Sequence, residues 1–366
     1  MCPPCPSSRG GRENKRVVDV DRSPWRAEVD GTVARLAVAG GAVYAGCGSA
    51  VYALDAASGR QLWCHDTGTP GPFRVAGDTI YVTGGGRVRA LDVRTGGERW
   101  QCPGVIPSLP AADADRVCVL GDTPRWGRSL RVLDARTGAE RWRIETESRL
   151  SAPATIGDLV VVGFADGALL AFKARNGKVR WRVNPEQWHP DWPDRGGAVT
   201  VAAAVDGTVY AAGIPHLTPP LGFVAGIDAA RGRIRWVTIA TLDPGPERPD
   251  EGDAPVLPVQ DGLWFGGPDG LTLLDGRAGA VRVGLAGPDA RFSPPAVHGA
   301  LLVAGLGGRR VEAYDVVAGR SQWALGDSLS PVDAPPAPVA VAGDRVIIGS
   351  VGWVWAVDAR TGQGEQ

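Results

Sequence analysis

The sequence predicts an all-β protein, an eight-bladed β-propeller of four-stranded antiparallel blades, and three observations carry that prediction. First, an Asp, replaced by Lys in one copy, is followed four residues later by Gly and, after four more, by Trp or a substitute for it; the copies begin at Asp55, Asp92, Asp134, Lys173, Asp228, Asp275, Asp315 and Asp358. A period of about 40 residues held over nearly the whole chain marks one repeat architecture rather than unrelated domains. Second, the β-rich runs between copies are joined by Gly/Asp pairs such as Gly40-Gly41, Gly77-Asp78 and Asp206-Gly207. These are hairpin signals, because turns that match strand twist need positive φ. Third, the last repeat reaches its Trp position only at Gln366, while Trp25 stands in a strand-like segment with no earlier strands.

The fourth repeat shows the elements in order. Ala152–Ile156 reads as strand A, Leu159–Phe164 as B, Ala168–Phe172 as C and Val179–Val183 as D, with turns at Gly157-Asp158, Asp166-Gly167 and Lys173–Gly177. In the eighth repeat strands A to C are present and D is missing. The segment around Trp25 is expected to supply it, which removes an exposed sheet edge. In each turn before strand D, the Asp is expected to accept backbone N–H groups and the Gly to take a left-handed conformation. The Trp is expected to fill the seam between neighbouring blades, its N–H reaching a carbonyl. Residues 23–366 are read as one propeller and residues 1–22 as a flexible tail.

Composition narrows the function classes. The 366 residues carry a net charge of −1 with both signs interspersed, which argues against nucleic acid as a partner. Basic residues other than Lys15, Lys173 and Lys178 are all Arg, as expected of a GC-rich bacterial genome. No apolar run approaches the roughly 20 residues of a membrane span. The polar, Pro-rich start lacks the apolar stretch of a secretory signal, so a cytoplasmic monomer is expected. An exported lipoprotein is the alternative if the true start lies upstream. All six cysteines fall in the first third of the chain, a distribution that favours free thiols over a disulfide framework.

Segments such as Val51-Tyr-Ala-Leu-Asp-Ala-Ala-Ser-Gly-Arg-Gln-Leu-Trp63 and Leu130-Arg-Val-Leu-Asp-Ala-Arg-Thr-Gly-Ala-Glu-Arg-Trp142 resemble the PQQ-like β-propeller repeat family over residues 24–366. The resemblance implies the fold, and it implies one of two roles. Some members are quinoprotein alcohol dehydrogenases that hold pyrroloquinoline quinone and Ca²⁺; others bind protein partners without a cofactor. The quinoprotein role calls for an adjacent Cys pair and a Glu/Asn/Asp cluster. Here no two cysteines are adjacent and the inner strands are small and apolar. No cofactor is therefore expected, and PQQ-dependent oxidation stands as the alternative.

Departures from the repeat point to a binding face. The Lys173-to-Asp228 and Asp228-to-Asp275 intervals are the longest, and the extra residues fall in D–A or B–C connections: Asp122–Arg128, Asn184–Gly197, Ile214–Leu221 and Asp243–Asp253. All of these emerge on the side called the top, where loops on a rigid frame commonly carry function. Candidate contacts are Arg125, Trp126 and Arg128, then Trp188, His189, Asp191, Trp192, Asp194 and Arg195, and His216. Exposed Trp and Arg are typical interface anchors. The expected function is a non-enzymatic scaffold binding a protein or peptide through these loops. The same residues allow other readings: Trp188 and Trp192 folding back as a lid over blade 5, or a His–Asp pair acting as general acid and base in a funnel enzyme. No metal site is expected, because neither the mixed His189/His216/Asp191 set nor the acidic loop has regular ligand spacing.

Overall fold

The computed structural model describes residues 17–18, 25–69, 71–123, 127–188, 197–214, 221–241, 256–259, 262–267, 270–286, 292–306, 310–326 and 337–363. Among them the protein is all-β, and its one helical turn is the 3₁₀ segment Pro185–Gln187. The fourth repeat folds as the strands Ala154–Ile156, Leu159–Gly163, Leu169–Lys173 and Val179–Val183, within two residues of the sequence reading. They pair in chain order and antiparallel, with Ile156 opposite Leu159, Leu159 opposite Lys173 and Leu169 opposite Val183. The repeats of Asp92, Asp134, Asp228 and Asp275 form sheets of the same kind.

Two sheets differ. The repeat of Asp315 gains a fifth strand, because Val17–Val18 runs parallel to its outer strand, Val17 beside Ala324 and Val18 beside Leu325. An outer strand leaves one row of N–H and C=O groups open, and a short apolar segment satisfies part of it. At these two residues the tail is not independent of the sheets. The other exception is a seven-stranded sheet that joins the two ends of the chain. Its long strand, Trp25–Ala39, pairs twice: Trp25 to Glu28 lie against Val351–Asp358, with Trp25 opposite Ala356, and Arg35 to Ala39 lie against Ala42–Cys47.

The repeated residues explain how neighbouring units lock. Asp134 Oδ1 accepts the backbone N–H groups of Arg136 and Thr137 at 3.1 and 2.9 Å. Gly138 then closes the turn at φ +72° and donates its N–H to the Asp134 carbonyl. The open face of that glycine receives the tryptophan of the preceding unit: the indole of Trp100 lies over Gly138 and its Nε1–H donates to the carbonyl of Ala135 at 3.0 Å. The same pair of contacts ties Trp25 to Gly59 and Ala56, Trp63 to Gly96 and Val93, Trp142 to Gly177 and Ala174, and Trp181 to Gly232 and Ala229. Trp236 meets Gly279 and Gly276, and Trp323 meets Gly362 and Ala359.

At three of these seams a tyrosine doubles the bond. Tyr44, Tyr81 and Tyr210 donate to the same carbonyls as Trp63, Trp100 and Trp236, so both lone pairs of each oxygen are used. Where the sequence puts Val283 in place of Trp, no atom of the described residues lies within 4 Å of the open face of Gly319.

Candidate binding face

Antiparallel strands in chain order put the A–B and C–D turns on one side of every unit and the B–C and D–A connections on the other. The turn side is chemically closed. Each motif aspartate described above uses Oδ1 on the backbone, and several use Oδ2 on an arginine of strand D: Asp92 with Arg99 at 2.6 Å, Asp134 with Arg141 at 2.8 Å and Asp228 with Arg235 at 3.0 Å. The arginine bond is the main reason that each of these carboxyls is held below the usual carboxylate range. At Asp55 the Ser58 hydroxyl does so, and at Asp275 chiefly the N–H of Ala278. These carboxylates are spent inside their own turns. Among the described residues no group of three or more His, Cys, Asp or Glu is placed to hold a metal ion.

The loop side is where the sequence places its candidates, and the described residues include two of them. Arg128 opens a strand directly after the Asp122–Arg128 connection and forms an ion pair with Asp122 across the base of that loop. Thr123 and Gly127 also close the base, the Thr123 N–H donating to the Gly127 carbonyl at 3.0 Å.

Trp188 is only 3% exposed. Its ring stacks on Phe223 of the next unit at 4.8 Å between centroids, and its Nε1–H donates to the Gly167 carbonyl at 2.7 Å. The side chain is therefore a pin across the seam between two units rather than a surface contact. Both partners stand far from it in sequence, one of them a glycine carbonyl, so no local pattern announces the burial. Arg125, Trp126, His189, Asp191, Trp192, Asp194, Arg195 and His216 lie outside the described residues.

A cavity of about 450 Å³ opens at the same side, where the inner strands begin. Arg35 and the prolines 72, 294 and 338 ring it, with Leu36, Val51, Val82 and Val339 among the apolar walls. Cys47 also lines it; burial pushes that thiol up to about 12, so it is neutral near pH 7. Among the described residues of the lining Arg35 is the only charged one. A polyanionic quinone held through Ca²⁺ needs an oxygen-rich cation site beside it, and these residues offer none. The described lining does not fit pyrroloquinoline quinone with Ca²⁺.

The fold recurs in proteins of known structure. BamB from Moraxella catarrhalis is 18% identical, with a TM-score of 0.66 over 91% of this chain and 98% of that one. Sqt1 from Saccharomyces cerevisiae is 12% identical, with a TM-score of 0.70 over 92% and 98%. The quinohemoprotein alcohol dehydrogenase ADHIIG from Pseudomonas putida HK5 is 14% identical, with a TM-score of 0.67 over 94% of this chain and 77% of that chain. At such identities the likeness establishes the fold, a β-propeller. No curated protein matches the sequence significantly. A family model described as outer membrane protein assembly factor BamB matches residues 6–101, 47–241 and 221–365. Taken with the repeated turn and its seam tryptophan, that match settles the family: the chain belongs to the PQQ-like propeller family of the BamB type.

Proposed function

We propose that the protein is a non-enzymatic scaffold that binds a protein or peptide partner through its loop side. One observation carries this: every long departure from the repeat falls in a D–A or B–C connection, while the opposite side repeats one self-satisfied turn. The contact residues are Arg125, Trp126, Arg128, His189, Asp191, Trp192, Asp194, Arg195 and His216. Trp188 serves them from below, by fixing the start of the Asn184–Gly197 connection to the seam. No cofactor takes part. The frame is an eight-bladed ring spanning residues 23–366; the pairing of Trp25–Glu28 with Val351–Asp358 and the seat of Trp25 on Gly59 support that count and its closure. The family relation to an outer membrane protein assembly factor supports the partner-binding reading.

Cross-linking of the tagged protein in cells, followed by peptide mapping, tests it. Cross-links to a partner concentrated between residues 122–128, 184–197 and 214–221 are expected. Cross-links confined to the C–D turns would put the interface on the wrong side.

A further inference from the structure

Eight copies of the C–D turn offer the same seat, a left-handed glycine and the carbonyl of the residue three positions before it. In seven of them a tryptophan of the neighbouring unit covers the glycine and donates its Nε1–H to that carbonyl. For the turn of Asp315 the sequence offers Val283 instead, which has neither ring nor N–H. Gly319 is exposed there, whereas the seven other glycines are buried or half-buried. The carbonyl of this seat, that of Val316, receives no hydrogen bond from the described residues.

The seam is held further in by another residue. Tyr44, Tyr81 and Tyr210 each pair with the strand C residue two before the motif aspartate; here that place belongs to Trp264, opposite Leu273. Trp264 is 2% exposed and packs with Leu302, Ala304 and Tyr314. Strand B thus supplies cohesion between the two units, and the seat at the turn is left open. Its surroundings are apolar. Val317, in the turn itself, is 84% exposed where other turns carry arginine, as at Arg94, Arg136 and Arg277. Val281, on the strand that carries Val283, is 62% exposed. These two are the most exposed large apolar side chains among the described residues, and they belong to the two elements that bound the seat. Apolar exposure gathered at one place marks an interaction site.

We infer that the Gly319 seat is a docking site for a tryptophan side chain presented by a partner protein, its ring over the glycine and its Nε1–H on the Val316 carbonyl. The occupant is defined by the seven equivalent seats, which one side chain fills throughout. An uncharged ring also suits a turn whose carboxylate is spent, since Asp315 Oδ1 already accepts the N–H groups of Val317 and Ala318 at 2.9 Å. Tryptophan anchors of this kind carry much of the energy of protein interfaces. The site goes beyond the loop-side reading: it lies on the turn side and shares no residue with the contacts proposed there, so either can fail alone.

The test uses the full chain, ligand-observed NMR and three capped peptides: Gly-Ser-Trp-Ser-Gly, the same with 1-methyltryptophan, and the same with alanine at the centre. The tryptophan peptide should bind, the methylated one about fivefold more weakly or worse, as for loss of one hydrogen bond, and the alanine one not at all. Val283→Trp fills the seat from within and should abolish binding while the protein melts no earlier than wild type. Val317→Arg, which restores the residue of the other turns, should weaken binding. The inference fails if the tryptophan peptide does not bind, if methylation changes nothing, or if Val283→Trp binds like wild type. Sedimentation over a range of concentrations tests the other occupant. A dimer that Val283→Trp dissolves would put a second copy's tryptophan on the seat and overturn the foreign partner.

Discussion

A Cβ placed on Gly96 would lie 2.6 Å from Cε3 of Trp63, and Gly96 stands at φ +69°. Two requirements meet at that residue: a left-handed turn and a bare surface for the indole of the preceding repeat. Gly319 has the turn, at φ +65°, without the indole.

Gly96→Ala should therefore destabilise far more than Gly319→Ala. The second carries only the backbone penalty, about 1 kcal/mol; the first adds displacement of Trp63 and loss of its bond to the Val93 carbonyl. Equal shifts in urea midpoint would show that the seam tryptophans contribute little. Val283→Trp should raise the midpoint by placing an indole over Gly319.

Acid should loosen the turns. Asp55, Asp92, Asp134, Asp228 and Asp275 all have lowered folded pKa values. Their contribution to stability is thus present above the unfolded carboxyl value, about 3.9, and is lost as pH falls through the lowered folded values. The urea midpoint should hold near neutral pH and drop below about pH 4. Arg99→Gln, which removes the partner of both Asp78 and Asp92, should flatten part of that drop. A midpoint that keeps rising on acidification contradicts this account.

Deleting residues 1–20 should shift the melting temperature little, since within the described residues only the Val17–Val18 pairing is removed. Deleting 1–30 also removes Trp25 and strips the strand Val351–Asp358 of its neighbour, so aggregation or a large fall in melting temperature is expected. Identical behaviour of the two truncations would undo the structural role given to Trp25–Asp30.

Trp188→Ala should cost about 3–5 kcal/mol of stability, the usual range for emptying a buried aromatic site. Trp126→Ala/Trp192→Ala should leave the melting temperature unchanged and lower partner affinity about thirtyfold, as for an interface tryptophan worth 2 kcal/mol. An early-melting double variant would mark those two as structural as well.

Mixed with pyrroloquinoline quinone and Ca²⁺, the protein should show no tight binding in calorimetry and no dye-linked alcohol oxidation. Sub-micromolar binding, on the order of 8 kcal/mol or more, would overturn the cofactor-free reading.

What the sequence discloses follows the range of the interaction. The Asp–Gly–Trp turn is legible because its geometry is fixed within nine residues, from Asp134 to Trp142, and repetition separates it from chance. The partners of the tryptophans follow by periodicity, since each seam copies the last. Trp188 is different: it breaks the repeat in sequence yet joins the core in space, through Phe223 and the Gly167 carbonyl. Arg35 is hidden for another reason. It reaches the cavity from a strand whose register slips between Val33 and Arg35, and the extra Ala34 conceals that register from a linear reading.

The double pairing of Trp25–Ala39 has a consequence for how the protein is made. Trp25 leaves the ribosome long before Ala356, which pairs with it. Units built from consecutive strands can fold as they emerge. The strand from Trp25 to Glu28 must wait, with one row of amides unpaired, until all the intervening repeats have been made. Such a distant contact is slow to form and leaves an adhesive edge in the interval. A ribosome that stalls before Val351–Asp358 holds a nascent chain whose preceding repeats can fold while the strand at Trp25 still lacks its partner.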